Sequence, residues 1–440
     1  MGFSYFPHTA ADIGEMLKRI GVDGLDDLYA DVPRSVIFDG DYDLPDAMSE
    51  MEVRRRFEEL DRKNRHLTIM AGGGAYDAPA VVPALTSRSE YLTAYTPYQA
   101  EISQGTLRYI FEFQSMIATL TGMDCANASM YDGATAAAEA MMMAIAATRK
   151  KTRVLLSSTL LPQVREVVHT YAKYHGVELS EIASADGQTD IDDARRLLEA
   201  GDVAGVLVPS VNRFGIVEDL SGFAEAAHAQ KALLMVYADP SALAVVRTPG
   251  EWGADVACGD AQTLGIPLGF GGPYVGFLAC SKEHVRKLPG RIVGATTDVD
   301  GKRAFVLTLQ AREQHSLREK SSSNICSNQS LMALYVTIYL SLMGKKGLRQ
   351  VCDLSYGAAH YLHDRLIETG LFSEAFNRPF LKEFALHTDI PADRLQQALL
   401  DGGFFGALPT EEGLVTFCAT ERRTREEIDR MIDLIKQIQL

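Results

Sequence analysis

The stretch that decides the fold of this chain is Asp255-Val256-Ala257-Cys258, the turn-rich run Gly259-Asp260-Ala261-Gln262-Thr263-Leu264-Gly265-Ile266-Pro267-Leu268-Gly269-Phe270-Gly271-Gly272-Pro273, and then Val275-Gly276-Phe277-Leu278-Ala279-Cys280. The two apolar runs have the length of buried β-strands, and the glycines and prolines between them indicate turns. No lysine lies between Lys231 and Lys282. The connection therefore contains no side-chain amine, and Gln262 lies near its start.

The same pattern of short strands continues upstream of this stretch. Helical periods separate four further β-rich runs, at 153–157, 177–182, 203–210 and 232–239. Alternation of this kind predicts βαβ crossovers and a mainly parallel sheet with helices on both faces. The fold class expected for the central part of the chain is therefore α/β.

The flanking parts of the chain have a different character. Before residue 70 we predict two charged helices, one capped near Thr9 and ending at Ile20, the other at 50–60. After residue 325 the pattern predicts helices at 329–343, 354–369, 392–400 and 424–437 and strands near 381–386 and 414–419. We therefore expect an N-terminal helical arm (1–70) that packs onto something else, a large α/β domain (71–325), and a helix with a small α+β domain (326–440).

Composition excludes several classes of protein. The 440 residues are 47% hydrophobic and carry a net charge of -15, so nucleic acid and anionic membranes are unsuitable partners. The six cysteines form no CxxC pair, which favours reduced thiols. No secretion signal or membrane-spanning run is apparent. We predict a cytoplasmic protein.

A tyrosine-rich segment, residues 95–105, carries the densest group of polar side chains. It precedes a predicted helix at 106–121 and is well suited to orienting a polar ligand. The alternative is a plain helix entry with Ser103 at or near the N-cap. The candidate site residues in this segment are Tyr95, Thr96, Tyr98, Gln99, Glu101, Ser103 and Gln104.

A second candidate site is the helix that begins after Asp132, in Asp132-Gly133-Ala134-Thr135. In a doubly wound sheet the amides of such a helix terminus hold a cofactor phosphate. The carboxylate of Asp132 would repel a phosphate there, so we expect Asp132 to cap the helix instead.

A third segment, 310–326, is crowded with charge before an apolar helix. Runs of this kind are usually solvated surface. His315 is therefore a weak candidate catalyst, and neither Lys282 nor Lys320 has the strand-turn context of a Schiff-base lysine.

Four segments together closely resemble one known family. They are AYTPYQAEISQG (94–105), NASMYDGATAAAEA (127–140), GFGGP (269–273) and the run from LQAREQH (309–315) to NIC (324–326). These motifs resemble glycine decarboxylase, the P-protein of the glycine cleavage system. Length and the missing lysine resemble the first of the two subunits into which many bacteria split that protein. The family's second subunit carries pyridoxal phosphate on the lysine of a His-Lys-Thr motif, where this chain has Ala261-Gln262-Thr263.

The resemblance implies a pyridoxal-phosphate-dependent transferase-like (fold type I) architecture and an α2β2 tetramer with the paralogous cofactor-binding subunit 2. The complex would decarboxylate glycine and pass the aminomethyl group to the lipoyl arm of the H-protein. This chain would bind no cofactor covalently and would be inactive alone. Asp239 matches the carboxylate that pairs with the cofactor ring nitrogen, but without a lysine we expect an ordinary loop aspartate.

In such a complex the chain would contribute support and part of the active-site wall. The residues suggested for that wall are those of the tyrosine-rich segment together with Arg312, His315 and Asn324. Two alternatives remain open. One is a regulatory or ligand-binding protein on a degenerate aminotransferase fold, and the other is an independent pyridoxal enzyme with a relocated lysine.

Overall fold

A computed structural model describes residues 7–38, 40–81, 83–148, 150–310, 314–321, 323–410 and 413–438, without the side chains of His315 and Ser316. The chain divides into two units, Met1–Arg65 and His66–Leu440.

The first unit contains two helices, α1 (Ala10–Ile20) and α2 (Glu50–Asp61). Each begins with a capping box, formed by Thr9 with Asp12 and by Ser49 with Glu52. These reciprocal bonds satisfy backbone N–H groups that a helix start leaves without partners. Both helices lie where the sequence predicted them. Among the described residues between 7 and 65, none is buried.

The strands of the second unit are β1 (Thr68–Met70), β2 (Cys125–Ala126), β3 (Arg153–Ser157), β4 (Glu178–Ile182), β5 (Ser184–Ala185), β6 (Gln188–Thr189), β7 (Val203–Pro209), β8 (Leu233–Tyr237), β9 (Val256–Asp260), β10 (Gly276–Cys280), β11 (Ile292–Thr297), β12 (Arg303–Thr308), β13 (Phe372–Glu374), β14 (Glu383–Thr388), β15 (Phe404–Gly406), β16 (Leu408–Pro409) and β17 (Leu414–Cys418). Its helices are α3 (Pro83–Thr86), α4 (Ser89–Leu92), α5 (Gln104–Thr121), α6 (Gly133–Thr148), α7 (Pro162–His175), α8 (Ile191–Leu198), α9 (Phe223–Ala229), α10 (Gln314–Leu317), α11 (Ser330–Glu368), α12 (Ala392–Asp401) and α13 (Arg425–Ile435).

The central sheet is mixed and mainly parallel. Within the described residues its strand order is β2-β10-β9-β8-β7-β3-β4. Strands β9, β8, β7, β3 and β4 run parallel, whereas β10 is antiparallel to both of its neighbours. This arrangement confirms the α/β class predicted from the alternating pattern.

Side chains of the central strands alternate between two hydrophobic cores. On one face Val154 and Leu156 pack with the apolar sides of α6 and α7. On the other face Leu155 packs with α8 and α9. Successive residues of a strand point to opposite faces, so a run that is apolar at every position must be covered on both. The carboxyl ends of these strands consequently meet at one edge, where β8 ends at Tyr237 and β9 at Asp260.

A smaller sheet lies in the C-terminal part of the second unit. It has the antiparallel order β13-β14-β17-β16, and α11, α12 and α13 complete its core. Strand β1 pairs in parallel with β15 in a separate two-stranded sheet, which ties the chain just before residue 71 to the segment between α12 and β16. Strands β14 and β17 and helices α12 and α13 lie where the sequence predicted strands and helices, and the division of the chain at residue 326 stays a prediction.

Several elements of the structure were not predicted from the sequence. The hairpin of β11 and β12 lies where no strand was expected. Element α11 consists of two helices that meet at a kink at Gly344 (φ 57°, ψ -175°), so the helix predicted at 329–343 ends where expected and the one predicted at 354–369 begins earlier in the chain. Glycine permits that left-handed backbone at little cost, so the helix changes direction there and goes on to the second core.

Candidate functional site

Gln262 is the residue that the family resemblance places at the position of the Schiff-base lysine. Its side chain is 1% exposed and lies just beyond the end of β9. The amide oxygen accepts a hydrogen bond from the Tyr76 N–H at 2.8 Å, and the amide nitrogen donates to the carbonyls of Tyr76 at 2.8 Å and Ile266 at 2.7 Å. The side chain therefore ties the turn after β9 to the segment after β1. Gln262 has no basic nitrogen and no nucleophile to offer.

Asp239 lies two residues beyond the end of β8, and its interpretation as an ordinary loop aspartate was wrong. Its carboxylate and the ammonium of Lys382 are 2.5 Å apart, and each side chain is only 12% exposed. Ser241 donates its N–H and its hydroxyl to the same carboxylate at 3.0 and 2.8 Å, and Lys382 donates to the Ser241 hydroxyl at 2.8 Å.

The ion pair determines the protonation state of both groups. Burial by itself raises the pKa of Asp239, but the Lys382 ammonium and the Ser241 hydrogen bonds outweigh it, so that pKa lies below its ordinary value. Burial likewise opposes the charge on Lys382, yet Asp239 keeps the lysine pKa above its ordinary value. Both groups are therefore charged at neutral pH, and the carboxylate that would face a ring nitrogen already has a cationic partner.

Tyr76 and Glu383 enclose the pair. The Lys382 ammonium lies 3.9 Å from the centre of the Tyr76 ring. The Tyr76 hydroxyl donates to Glu383 at 2.9 Å, and the other oxygen of Glu383 accepts the Gly73 N–H at 2.7 Å. Burial raises the pKa of Glu383 to about 7 despite these hydrogen bonds. These contacts join the loop after β1, the end of β8 and the start of β14.

The N-terminus of α6 is the second candidate site, where the sequence predicts that Asp132 caps the helix in place of a bound phosphate. Asp132 accepts the N–H and the hydroxyl of Thr135 at 2.7 and 2.8 Å, which confirms the predicted cap. The N–H of Gly133, the first residue of α6, donates to Asp260 at 2.9 Å. A Cβ at position 133 would lie 2.5 Å from the Tyr237 hydroxyl and 2.8 Å from Asp260. The helix terminus is thus packed against the ends of β8 and β9, and the amides of Gly133 and Thr135 are already bonded.

Little space remains between these groups. Two cavities, one beside Lys382 and one beside Asp260, each have a volume of about 30 Å³. That volume holds one or two water molecules. A substituted pyridine ring with a phosphate is far larger. The residues of this site therefore do not fit pyridoxal phosphate.

The tyrosine-rich segment lies next to the β11–β12 hairpin. Two of its residues, Tyr98 and Gln104, are held by contacts with Arg291 and with strand β12. The Tyr98 hydroxyl accepts a hydrogen bond from the buried Arg291 at 3.1 Å, and the guanidinium lies 5.3 Å from the centre of the Tyr98 ring. Gln104 accepts the Phe305 N–H at 2.9 Å and donates to the carbonyls of Phe305 at 2.9 Å and Ala100 at 2.7 Å. Gln104 therefore binds strand β12.

Ser103 occupies the N-cap position of α5, but its side chain makes no capping hydrogen bond. The helix begins at Gln104, two residues before the predicted start. Ser103 therefore lies at the predicted N-cap position, but its hydroxyl does not accept the hydrogen bond that an N-cap side chain normally accepts.

The rest of the segment faces solvent. Tyr95 is 78% exposed, Gln99 and Glu101 are also exposed, and Thr96 is partly exposed. Pro97, at the centre, is buried and anchors the loop. The segment thus presents aromatic, amide and carboxylate groups outward on a fixed base.

The other residues suggested for the wall are only partly described. Arg312 and the side chain of His315 lie outside the described residues. Asn324 is exposed and accepts a long hydrogen bond of 3.4 Å from Gln314. Nearby, Ser323 donates to the buried Glu139 at 2.7 Å, and burial raises the pKa of that carboxyl to about 7. The charged segment is therefore attached to α6 at its end.

Sequence reasoning missed Tyr76, Lys382 and Glu383. A signal existed for the last two, because a lysine and a glutamate adjoin the start of a strand that is otherwise apolar, and charged residues are rarely buried without partners. Tyr76 gave no such signal. Among the described residues, no cluster of ligands could hold a metal ion and no helix is long and apolar enough to cross a membrane.

Comparison with known proteins gives consistent results over nearly the whole chain. A family model described as glycine cleavage system P-protein matches residues 3–435. A protein of Moorella thermoacetica named probable glycine dehydrogenase (decarboxylating) subunit 1 is 48% identical over 443 residues, 99% of each chain. A protein of the same name from Desulforamulus reducens is 47% identical over 97% of each chain.

Comparison with solved structures gives the same family and the same fold. A glycine decarboxylase (P-protein) of the glycine cleavage system, crystallised in inhibitor-bound form, superposes with a TM-score of 0.91 at 42% identity, covering 99% of this chain and 100% of that one. Sphingosine-1-phosphate lyase of Burkholderia pseudomallei, at 14% identity, has a TM-score of 0.66 over 92% of this chain and 94% of its own. That more distant likeness shows the fold alone. Together these structures confirm the expected fold type I architecture.

Proposed function

Because the chain belongs to the glycine cleavage system P-protein family, we propose that it is subunit 1 of a two-subunit glycine dehydrogenase (decarboxylating), the subunit that carries no cofactor. In this proposal the complex decarboxylates glycine and transfers the aminomethyl group to the lipoyl arm of the H-protein. The reacting cofactor, pyridoxal phosphate, belongs to the paralogous subunit of an α2β2 tetramer. A cytoplasmic location is part of the same proposal.

The observation that carries the assignment to the non-binding subunit is the state of Gln262. A cofactor lysine must have a free amine aimed into a cavity. Here an amide is hydrogen-bonded to two backbone segments in a site with a cavity of about 30 Å³. Covalent capture of an aldehyde is therefore assigned to the other subunit.

The contribution proposed for this chain is positioning at the subunit boundary. Tyr95 and Glu101 are exposed on a loop whose base is fixed by the Tyr98–Arg291 contact and by the bonds of Gln104 to β12. A rigid base with outward polar groups suits the orientation of a substrate or a lipoyl arm. Asn324, Arg312 and His315 are proposed for the same wall on the family resemblance.

The helical arm before residue 66 is proposed to cover a partner surface. Its described apolar side chains include Phe38, Tyr42, Leu44, Met51 and Phe57, all more than half exposed. Large apolar side chains left in water in such number are typical of segments that become buried on assembly.

The test is reconstitution. Subunit 1 and its paralogue, purified separately, are assayed alone and mixed for glycine-dependent release of carbon dioxide with lipoylated H-protein. We expect no turnover from subunit 1 alone and full turnover from the mixture, with the two chains co-eluting in size-exclusion chromatography.

Two results would contradict the proposal. Turnover by subunit 1 alone, with the paralogue excluded by mass spectrometry, would show a relocated nucleophile. If the paralogue alone matched the mixture and the chains eluted separately, the chain would be a separate regulatory or ligand-binding protein on this fold.

A further inference from the structure

We propose that Lys382 and Asp260 replace the two charged ends of the lost cofactor, so that the site is closed to pyridoxal phosphate even when a lysine is restored at position 262. The loss of the Schiff-base lysine is then only one of three changes. The other two are internal partners for groups that would otherwise bind the ring nitrogen and the phosphate.

The first internal partner is a cation. Asp239 lies where the family's carboxylate faces a protonated ring nitrogen, and here the Lys382 ammonium is 2.5 Å from it. Lys382 also lies over the Tyr76 ring at 3.9 Å, so the amine is held between a carboxylate and an aromatic face. A buried carboxylate without a cation would be strongly destabilising. Lys382 supplies the charge that the fold requires at this point.

The second internal partner is an acceptor. The first amides of a helix attract an anion because their N–H groups lack intrahelical partners. At the start of α6, the Thr135 N–H is bonded to Asp132 and the Gly133 N–H to Asp260. The backbone N–H of Gln262 also donates to Asp260, at 2.9 Å, which fixes that carboxyl group in place. No phosphate is needed to satisfy these donors.

The geometry also explains why a lysine alone is not expected to suffice. With Lys382 and Asp260 in place, the neighbouring cavities of about 30 Å³ have no room for a ring. A lysine at position 262 would have an aldehyde partner only if the ring could enter. Removing the long side chain of Lys382 and the carboxyl group of Asp260 creates that room and exposes the unused donors.

The experiment compares two variants of the isolated full chain. Gln262→Lys restores the amine, and the triple variant Gln262→Lys, Asp260→Ala, Lys382→Ala also removes both internal partners. Each is incubated with pyridoxal phosphate, reduced with borohydride and mapped by peptide mass spectrometry. Gln262→Lys combined with Lys345→Ala, an exposed lysine on α11, is the matched control for losing a lysine.

We expect the adduct at residue 262 to be at least about tenfold more abundant in the triple variant than in Gln262→Lys or its control. Equal labelling of Gln262→Lys and the triple variant would overturn the proposal. So would a triple variant that keeps its near-ultraviolet circular dichroism and yields no adduct.

A second measurement does not require a lysine at the buried position 262. The variant Asp260→Ala, Lys382→Ala, with Gln262 kept, is heated with and without pyridoxine phosphate, which has the ring and the phosphate but no aldehyde. We expect this ligand to raise the melting temperature of the variant and not that of the natural chain. No shift in the folded variant, or an equal shift in both proteins, would refute the replacement. Neither experiment involves the partner subunit, so failure here leaves the proposed function intact.

Discussion

Replacing Gln262 by methionine is expected to destabilise the chain substantially although it preserves side-chain volume. Methionine is apolar, so Gln262→Met removes three hydrogen bonds at once. The Tyr76 carbonyl keeps a second donor, the Ala78 N–H at 2.9 Å. The Tyr76 N–H and the Ile266 carbonyl would lose the partner that the structure gives them.

The magnitude follows from these two groups. A buried polar group deprived of its partner costs about 1–3 kcal/mol, so the pair gives about 4 kcal/mol after some relaxation. For a chain of this size, with an unfolding entropy of about 2 cal/mol/K per residue, that loss lowers the melting temperature by roughly 4 °C.

Thermal unfolding followed by circular dichroism and by scanning fluorimetry is the appropriate assay. The matched control is Gln397→Met, because Gln397 is exposed on α12 and bonds only to Asp401 in the same helix. We expect this control to change stability by less than about 0.5 kcal/mol. If Gln262→Met behaved like the control, the hydrogen bonds of Gln262 would not stabilise the fold, and the argument from its buried amide would fail.

Three further predictions concern other residues. Tyr95→Phe and Glu101→Gln should leave assembly and melting temperature unchanged but lower glycine decarboxylation by the reconstituted complex about tenfold, the scale of one lost hydrogen bond of about 1.4 kcal/mol; full activity in both variants would make the tyrosine-rich segment ordinary surface. Gln104→Ala should instead lower the melting temperature of the isolated chain, by about 2 kcal/mol in stability, because it frees the backbone of Phe305 in β12; an unchanged melting curve would contradict that role. Burial raises the pKa of Asp260 to about 7, so its folded form retains a proton that the unfolded chain releases near pH 4. Stability from this group is present at low pH and is lost as pH rises to about 7. The free energy of unfolding of Asp260→Asn should therefore increase relative to that of the natural chain between about pH 5 and pH 8, by up to about 3 kcal/mol, and its relative melting temperature should rise with it; parallel pH profiles of the two proteins would refute this.

Individual strands, helix caps and turns could be predicted from the sequence because they depend mainly on residues close together in the chain. Strand β3 lies at the predicted residues 153–157, since the apolar run Val154-Leu155-Leu156 between a helix and a turn is typical of a short buried strand. The Thr9 cap follows from the hydroxyl and the carboxylate three residues later. The turn after β9 was also recognised from its glycines and prolines.

Contacts between residues far apart in the chain could not be predicted from the sequence. The Asp239–Lys382 pair joins two domains of the predicted division, and no spacing rule relates them. The bonds of Gln104 to Phe305 depend on the β11–β12 hairpin, which was not predicted from the sequence although Asp298 to Gly301, at its tip, contains turn-forming residues. A single sequence shows which residues are polar but not which distant partner makes their burial tolerable.

The Lys382 ammonium differs from any dissociable ligand in one thermodynamic respect. A ligand that binds only the folded state stabilises it by an amount that depends on its free concentration. A side chain fixed 2.5 Å from Asp239 has a constant effective concentration, set by the chain itself. The stability that this ion pair contributes is therefore independent of the concentration of any ligand.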